Sequence, residues 1–230
     1  MKTKPVATDS GSRWRFWRHA VALGALAAVA TVFIPVSLPD RPDPPRFTDR
    51  NGTVLVQRPV PERAAGQWVN AFPESVVQAT INAEDHRFEE HFGIDPIGIV
   101  RAFRVNVEAG EVRQGGSTIT QQLVRNVWER PPGVLGKAWE AWMAMRLDAS
   151  YSKKRIVTEY LNRIYFGNHA YGLDAAAHVY FDKTVEGLSI SETALLVALP
   201  RRPTDLDPWK YPAAAIAERN KVLERMAQLG

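Results

Sequence analysis

The sequence predicts a mainly α-helical domain that opens with a small β-hairpin and is preceded by a single transmembrane helix. Three observations predict it. From Pro73 onward apolar residues recur at helical spacing between glycine and proline breaks. Asn51-Gly52 separates two short β-prone runs, a strong hairpin signal. Residues 20 to 36, AVALGALAAVATVFIPV, are almost wholly apolar.

Composition narrows the function classes. At 230 residues and 45% apolar content the chain can bury one sizeable core. Its net charge of +4 is carried entirely by the first 18 residues, where Lys2, Lys4, Arg13, Arg15 and Arg18 stand against Asp9. The remainder is electrically balanced, so nucleic acid is not an expected partner. With no cysteine, the chain has no disulfide, thiolate nucleophile or cysteine-ligated metal.

The elements follow in order. Residues 1 to 18 form a basic tail and 19 to 38 a signal anchor, with no acidic residue between Ser10 and Pro39. The basic flank keeps the tail in the cytoplasm and sends the rest outward. A cleaved signal peptide or a buried core helix are the alternatives. The apolar run exceeds the roughly 7–15 residues of a signal-peptide core, which favours an anchor that is kept. Residues 39 to 47, with four prolines, read as an extended spacer, and 48 to 230 as the folded domain.

Within that domain the spacing predicts a first helix from Pro73 through Phe92, with a stripe of Val77, Ile81, Phe88 and His91 that leaves Glu84 on the same face. A carboxylate there is either a desolvated base or an edge residue reaching solvent; spacing alone leaves both open. The next helix opens at Gly115-Gly116. Thr118 and Gln121 fit a capping box, and Ile119, Leu123 and Val127 make its buried stripe, turning Thr118, Gln122 and Arg125 to the other face. Such a helix start suits a phosphate or an oxygen-rich sugar. A further helix spans 134 to 149, with Lys137 and Glu140 at i, i+3, a spacing more commonly that of a surface ion pair. Ser152 caps a helix expected to stop at Gly167, and Ser189 with Glu192 caps another ending near Pro200; residues 212 to 226 form the last.

Two patterns carry less than they suggest. Ser150 to Lys153 matches S-x-x-K, but its partner motifs are absent from the chain. His86 and His91 lack the spacing that places two imidazoles on one helical face, so zinc is not expected.

Taken together, AEDHRFEEHFGID, QGGSTITQQLVRN, KAWEA, YSKKRIVTEYLNRIYFG and ETALLVALPRRP resemble the five motifs of the family 51 glycosyltransferases, the peptidoglycan polymerases. The resemblance covers residues 46 to 230 in the family's order. It implies a lysozyme-like fold of two lobes, a head and a membrane-associated jaw. It implies that Glu84 is the base that deprotonates the acceptor sugar's 4-hydroxyl, and that Glu140 orients the donor and its phosphate ligands. Asp85, Phe88 and His91 would shape the site. Ser117, Thr118, Gln121 and Gln122 would bind sugar or phosphate oxygens, and Arg125, Lys137, Arg146 and Lys153 would neutralise the pyrophosphate.

The implied substrates are lipid II and the growing lipid-linked glycan, in the outer leaflet of a bacterial cytoplasmic membrane, with wall-synthesis and division proteins as further partners. No dedicated cofactor is implied, although Mg²⁺ or Mn²⁺ could screen the pyrophosphate. One departure stands out: Gly136 occupies the place of an arginine in the family's R-K-x-x-E motif, so either a neighbour such as Arg130 substitutes or activity falls. A glycan-cleaving enzyme and a catalytically weak scaffold are the competing readings. The chain reaches Gly230 without a transpeptidase domain, which reads as monofunctional and would read the same for a fragment of a bifunctional relative.

Overall fold

The computed structural model describes residues 18, 21, 22, 24, 29–40, 46–48, 54–57, 66–111 and 115–229. Two short strands, β1 (Arg46–Thr48) and β2 (Val54–Gln57), pair antiparallel with Phe47 opposite Val56 and a register shift after Phe47. The Asn51-Gly52 turn expected between them lies outside the described residues. Among the described residues the regular elements that follow are helices: α1 (Glu74–Glu84), α2 (Pro96–Ala109), α3 (Ile119–Val127), α4 (Gly133–Ser150), α5 (Lys153–Arg163), α6 (Leu173–Phe181), α7 (Ile190–Ala198) and α8 (Pro212–Leu229).

Side-chain caps account for three of these eight helix starts. Thr118 accepts from the Gln121 N–H while the Gln121 side chain accepts from the Thr118 N–H, completing a capping box. Ser189 and Glu192 do the same for α7, and Ser152 caps α5. The Glu192 carboxyl is held below its ordinary range by its hydrogen bond from Lys183 and by the cap.

Two helices end sooner than their periodicity predicts. The first stops at Glu84, because the Asp85 carboxylate turns away to accept the N–H of Ile119 at 3.0 Å, and Phe88 and His91 reach the core from a 3-10 turn (Phe88–Glu90) and the extended residue after it. The helix beginning at Lys153 stops at Arg163 rather than Gly167. Residues 164 to 172 fold back on themselves, with Phe166 N–H donating to Ala170 and Gly172 N–H to Ile164. Interactions distant in sequence win in both places.

The core gathers Phe88, Ile119, Leu123, Leu147, Ile156 and Tyr160, all essentially unexposed, where α3 packs between α4 and α5. A smaller cluster of Ala79, Ala83, Ala194 and Val222 joins α1, α7 and α8. Small side chains let these helices approach closely. Ahead of α1, Asn162 brackets the backbone of Val69 by donating to its carbonyl and accepting its N–H.

Of the expected anchor, residues 18, 21, 22, 24 and 29–32 are helical and the rest lies outside the described residues. Among the described residues no helix is long and apolar enough to cross a membrane. The chain after this segment lies along α4 and α5 rather than leaving the domain at once. Val36 N–H donates to Ser150 Oγ, Leu38 N–H to the Tyr151 hydroxyl, and Arg163 to the Pro39 carbonyl. Ser150, the serine of the S-x-x-K pattern, is thus held by Val36 and the Arg146 carbonyl.

Candidate active site

Glu84 is the last residue of α1, and its side chain is only 7% exposed. One carboxylate oxygen accepts from Arg201 Nε at 2.8 Å and the other from Gln122 Nε2 at 2.9 Å. Gln122 in turn accepts the Tyr160 hydroxyl at 3.2 Å, which fixes its amide so that the NH₂ faces Glu84. Burial, and then the Glu84 charge, push the Tyr160 phenol well above its ordinary value, so it stays a donor. Thr80, Leu161, Phe166 and Pro200 line a small pocket beside the carboxylate. The result is an oriented acceptor in a largely apolar wall.

The residues just after Glu84 support this wall from inside. Asp85 holds His91 Nε2 at 3.0 Å with both oxygens as well as the Ile119 N–H, and the Phe88 ring meets His91 edge-on. Lys153 donates to the His91 carbonyl and to Asp148 at 2.7 Å, and its ammonium lies over Phe88. Thr118 donates to the Gly93 carbonyl at 2.7 Å. Thr118 and Gln121 are both 2% exposed, and Phe88 is unexposed. Asp85, Phe88 and His91 thus shape the wall, as expected of them, while Thr118, Gln121 and Lys153 spend hydrogen bonds on the capping box, Gly93, His91 and Asp148.

Glu140 forms a second centre. It is unexposed, and it accepts from Lys137 with one oxygen and from Arg130 at 3.5 Å with the other. Lys137 also donates to Ser117 Oγ at 3.1 Å, joining the loop before α3 to α4. The Lys137–Glu140 pair, whose spacing more commonly marks a surface pair, is instead half-buried. A side chain at position 136 would collide with the Pro131 carbonyl and crowd Arg130 Cγ, because the loop before α4 folds over the helix at that point. Gly136 and the inward reach of Arg130 are two sides of one arrangement.

Arg125 is exposed on α3, close enough for its charge to be felt at Tyr160. Arg146 is drawn elsewhere: it donates to the carbonyls of Ile34 and Pro35 and stacks on Trp142, so it clamps the N-terminal segment. Sequence reasoning passed over Arg201 and Tyr160. Arg201 stands within the quoted ETALLVALPRRP run, but no periodicity marks it, since it reaches Glu84 only where the 3-10 turn after α7 meets the end of α1.

The chain thus holds one carboxylate bound by an amide and an arginine, and a second bound by two cations. A family model described as Transglycosylase matches residues 52–227, and the chain belongs to that family. Penicillin-binding protein 1A of Aquifex aeolicus is 47% identical over 163 residues, 70% of this chain and 22% of the relative. That of Escherichia coli is 44% identical over 163 residues, 70% and 19% respectively. This chain therefore spans about a fifth of the length of these curated relatives. A crystal structure of penicillin-binding protein 1A from Haemophilus influenzae aligns over 47% of this chain and 13% of that one, at 28% identity and a TM-score of 0.32.

Proposed function

We propose that the chain is a peptidoglycan glycosyltransferase that joins lipid II units into a β-1,4 glycan with inversion, releasing undecaprenyl pyrophosphate. The observation that carries this reading is Glu84, which has two fixed donors, Arg201 and Gln122, and a pocket beside it. As the acceptor's 4-oxygen attacks C1 of the donor sugar, its proton passes to the Glu84 carboxylate, and the C1–O bond to pyrophosphate breaks. An alcohol gains nucleophilicity only if a base takes its proton as the bond forms. Pyrophosphate needs only its developing charge neutralised. Lys137 and Arg130, which remain 45% and 34% exposed while anchored on Glu140, are positioned for that, with Arg125 as a third cation.

Among the described residues no group of three acidic or histidine side chains converges to hold a metal. In this proposal Mg²⁺ or Mn²⁺ would ride on the substrate's own phosphates, and no step runs through it. The architecture extends the reading. The exposed stripe of Ile97, Val100, Phe103 and Val107 along α2 would rest in the membrane interface as the jaw of a lysozyme-like, two-lobed domain. The basic tail and signal anchor would place that domain on the outer face of the cytoplasmic membrane, among other wall-synthesis and division proteins.

The test is polymer formation from labelled lipid II by the detergent-solubilised full chain, resolved on a gel with Glu84→Gln alongside. Polymer from the parent and none from the variant is expected. Polymer from both would remove Glu84 as the base, and none from a folded parent would overturn the reading.

A further inference from the structure

Beyond the two carboxylate centres lies a third charged cluster. Arg201 and Arg225 both donate to the Ala83 carbonyl, Arg225 at 2.7 Å, and Arg101 donates to His86 Nε2 at 3.0 Å. The end of α1 explains part of this, since C-terminal carbonyls attract cations. It does not explain Arg101 or His86, which come from α2 and from the turn after α1.

The cluster is short of negative charge. Glu84 neutralises Arg201, whereas among the described residues neither Arg101 nor Arg225 has a carboxylate in ion-pair contact, and Arg101 Nε is buried without a partner. Arg155 and Arg163, by contrast, share Glu159. Burial, then Arg201, pulls Arg225 below its ordinary value; burial, then Arg101 and Arg225, does the same to His86. Glu84, Asp85 and Asp95 act on the cluster from nearby, but none of them is in ion-pair contact with Arg101 or Arg225, which leaves these two cations able to take up a further anion.

Placement indicates which anion. Arg101 follows Val100 on the helix that carries the exposed apolar stripe, and the far side of the cluster is bonded to Glu84 through Arg201. A molecule with its hydroxyl at Glu84 and its lipid on α2 would bring its phosphates here. We propose that Arg101, His86 and Arg225 form an anion subsite for the diphosphate of the acceptor, separate from the donor cations at Glu140. This rests on the polymerase reading, in which both substrates are diphosphate-linked lipids. The two diphosphates have opposite needs, because the donor's must leave and the acceptor's must stay. Separate cation sets let the enzyme stabilise departure of one alone.

The experiment uses the full chain in neutral detergent free of phospholipid. The donor is lipid II with its 4-hydroxyl blocked, and the acceptor is a C-glycoside diphosphate lipid that cannot act as donor; the product is a lipid-linked tetrasaccharide. Arg101→Gln and Arg225→Gln should each raise the acceptor KM about 10-fold, the loss of one charge-assisted contact, with the donor KM unchanged. Arg225→Lys, which keeps the charge and a donor for Ala83, should recover most of it. With a phosphate-free acceptor the difference between parent and variants should vanish.

The subsite is overturned if the variants leave the acceptor KM unchanged in an active enzyme, or raise it equally for the phosphate-free acceptor. It is also overturned if their effect emerges only when anionic phospholipid is added, which would assign the cluster to membrane headgroups. A parent that makes no tetrasaccharide overturns the polymerase reading itself, and the subsite with it.

Discussion

Glu84 and Glu140 both have side chains with little or no exposure, yet their surroundings are opposite in kind. Glu84 meets one cation and one neutral amide, each tied to a further partner, and a pocket opens beside it. Glu140 is unexposed and meets two cations directly, both of which still reach solvent. A carboxylate with only one cationic partner keeps charge available to accept a proton. One enclosed by two ammonium and guanidinium groups has its charge spent on holding them, and acts through them. In the proposed mechanism it is the count of charged partners and the access, not the residue type, that separate a base from a cation holder.

The largest effects should break the comparison outright. Glu84→Gln keeps the shape and the bond from Arg201 while removing the base, so turnover should fall about 100- to 10,000-fold with the unfolding midpoint little changed. Glu140→Gln should instead show itself in a weakened donor KM, because Lys137 and Arg130 lose their common anchor. Matching kinetic signatures from the two variants would dissolve the distinction. Arg201→Gln should follow, lowering turnover roughly 10- to 100-fold through disorder of Glu84, with donor affinity intact.

Smaller effects test the scaffolding. Gly136→Ala sets a methyl group against the Pro131 carbonyl and should cost about 1–3 kcal/mol, lowering the midpoint of thermal unfolding by a few degrees and weakening donor binding as the loop bearing Arg130 is displaced. Thr118→Val loses the cap of α3 and the bond to Gly93, for about 1–2 kcal/mol measured in urea.

The smallest is a pH effect. Because the pKa of His86 in the folded chain lies below its ordinary value of 6.5, the neutral ring is favoured there. Its contribution is complete above that value and is lost as pH falls through the folded pKa. Parent stability should therefore fall faster than that of His86→Gln on acidification below pH 6.5, as read from urea unfolding midpoints across the range. Parallel pH profiles would show that the ring does not contribute.

By itself the sequence determined where most helices begin and what family the chain belongs to. Capping boxes at Thr118 and Ser189 act between residues three apart, so residue type and order suffice to specify them. The motif order and the buried stripe of Ile119 and Leu123 were legible for the same reason. Only the tertiary structure decided that α1 ends at Glu84, because the bond that draws Asp85 away comes from Ile119, 34 residues later. Nor could spacing show that Arg201 would hold Glu84 across 117 residues, or that the Pro131 carbonyl would forbid a side chain at position 136. Helical periodicity reports which way a side chain faces, while its partner depends on which other element packs there, and that is settled only when the core closes.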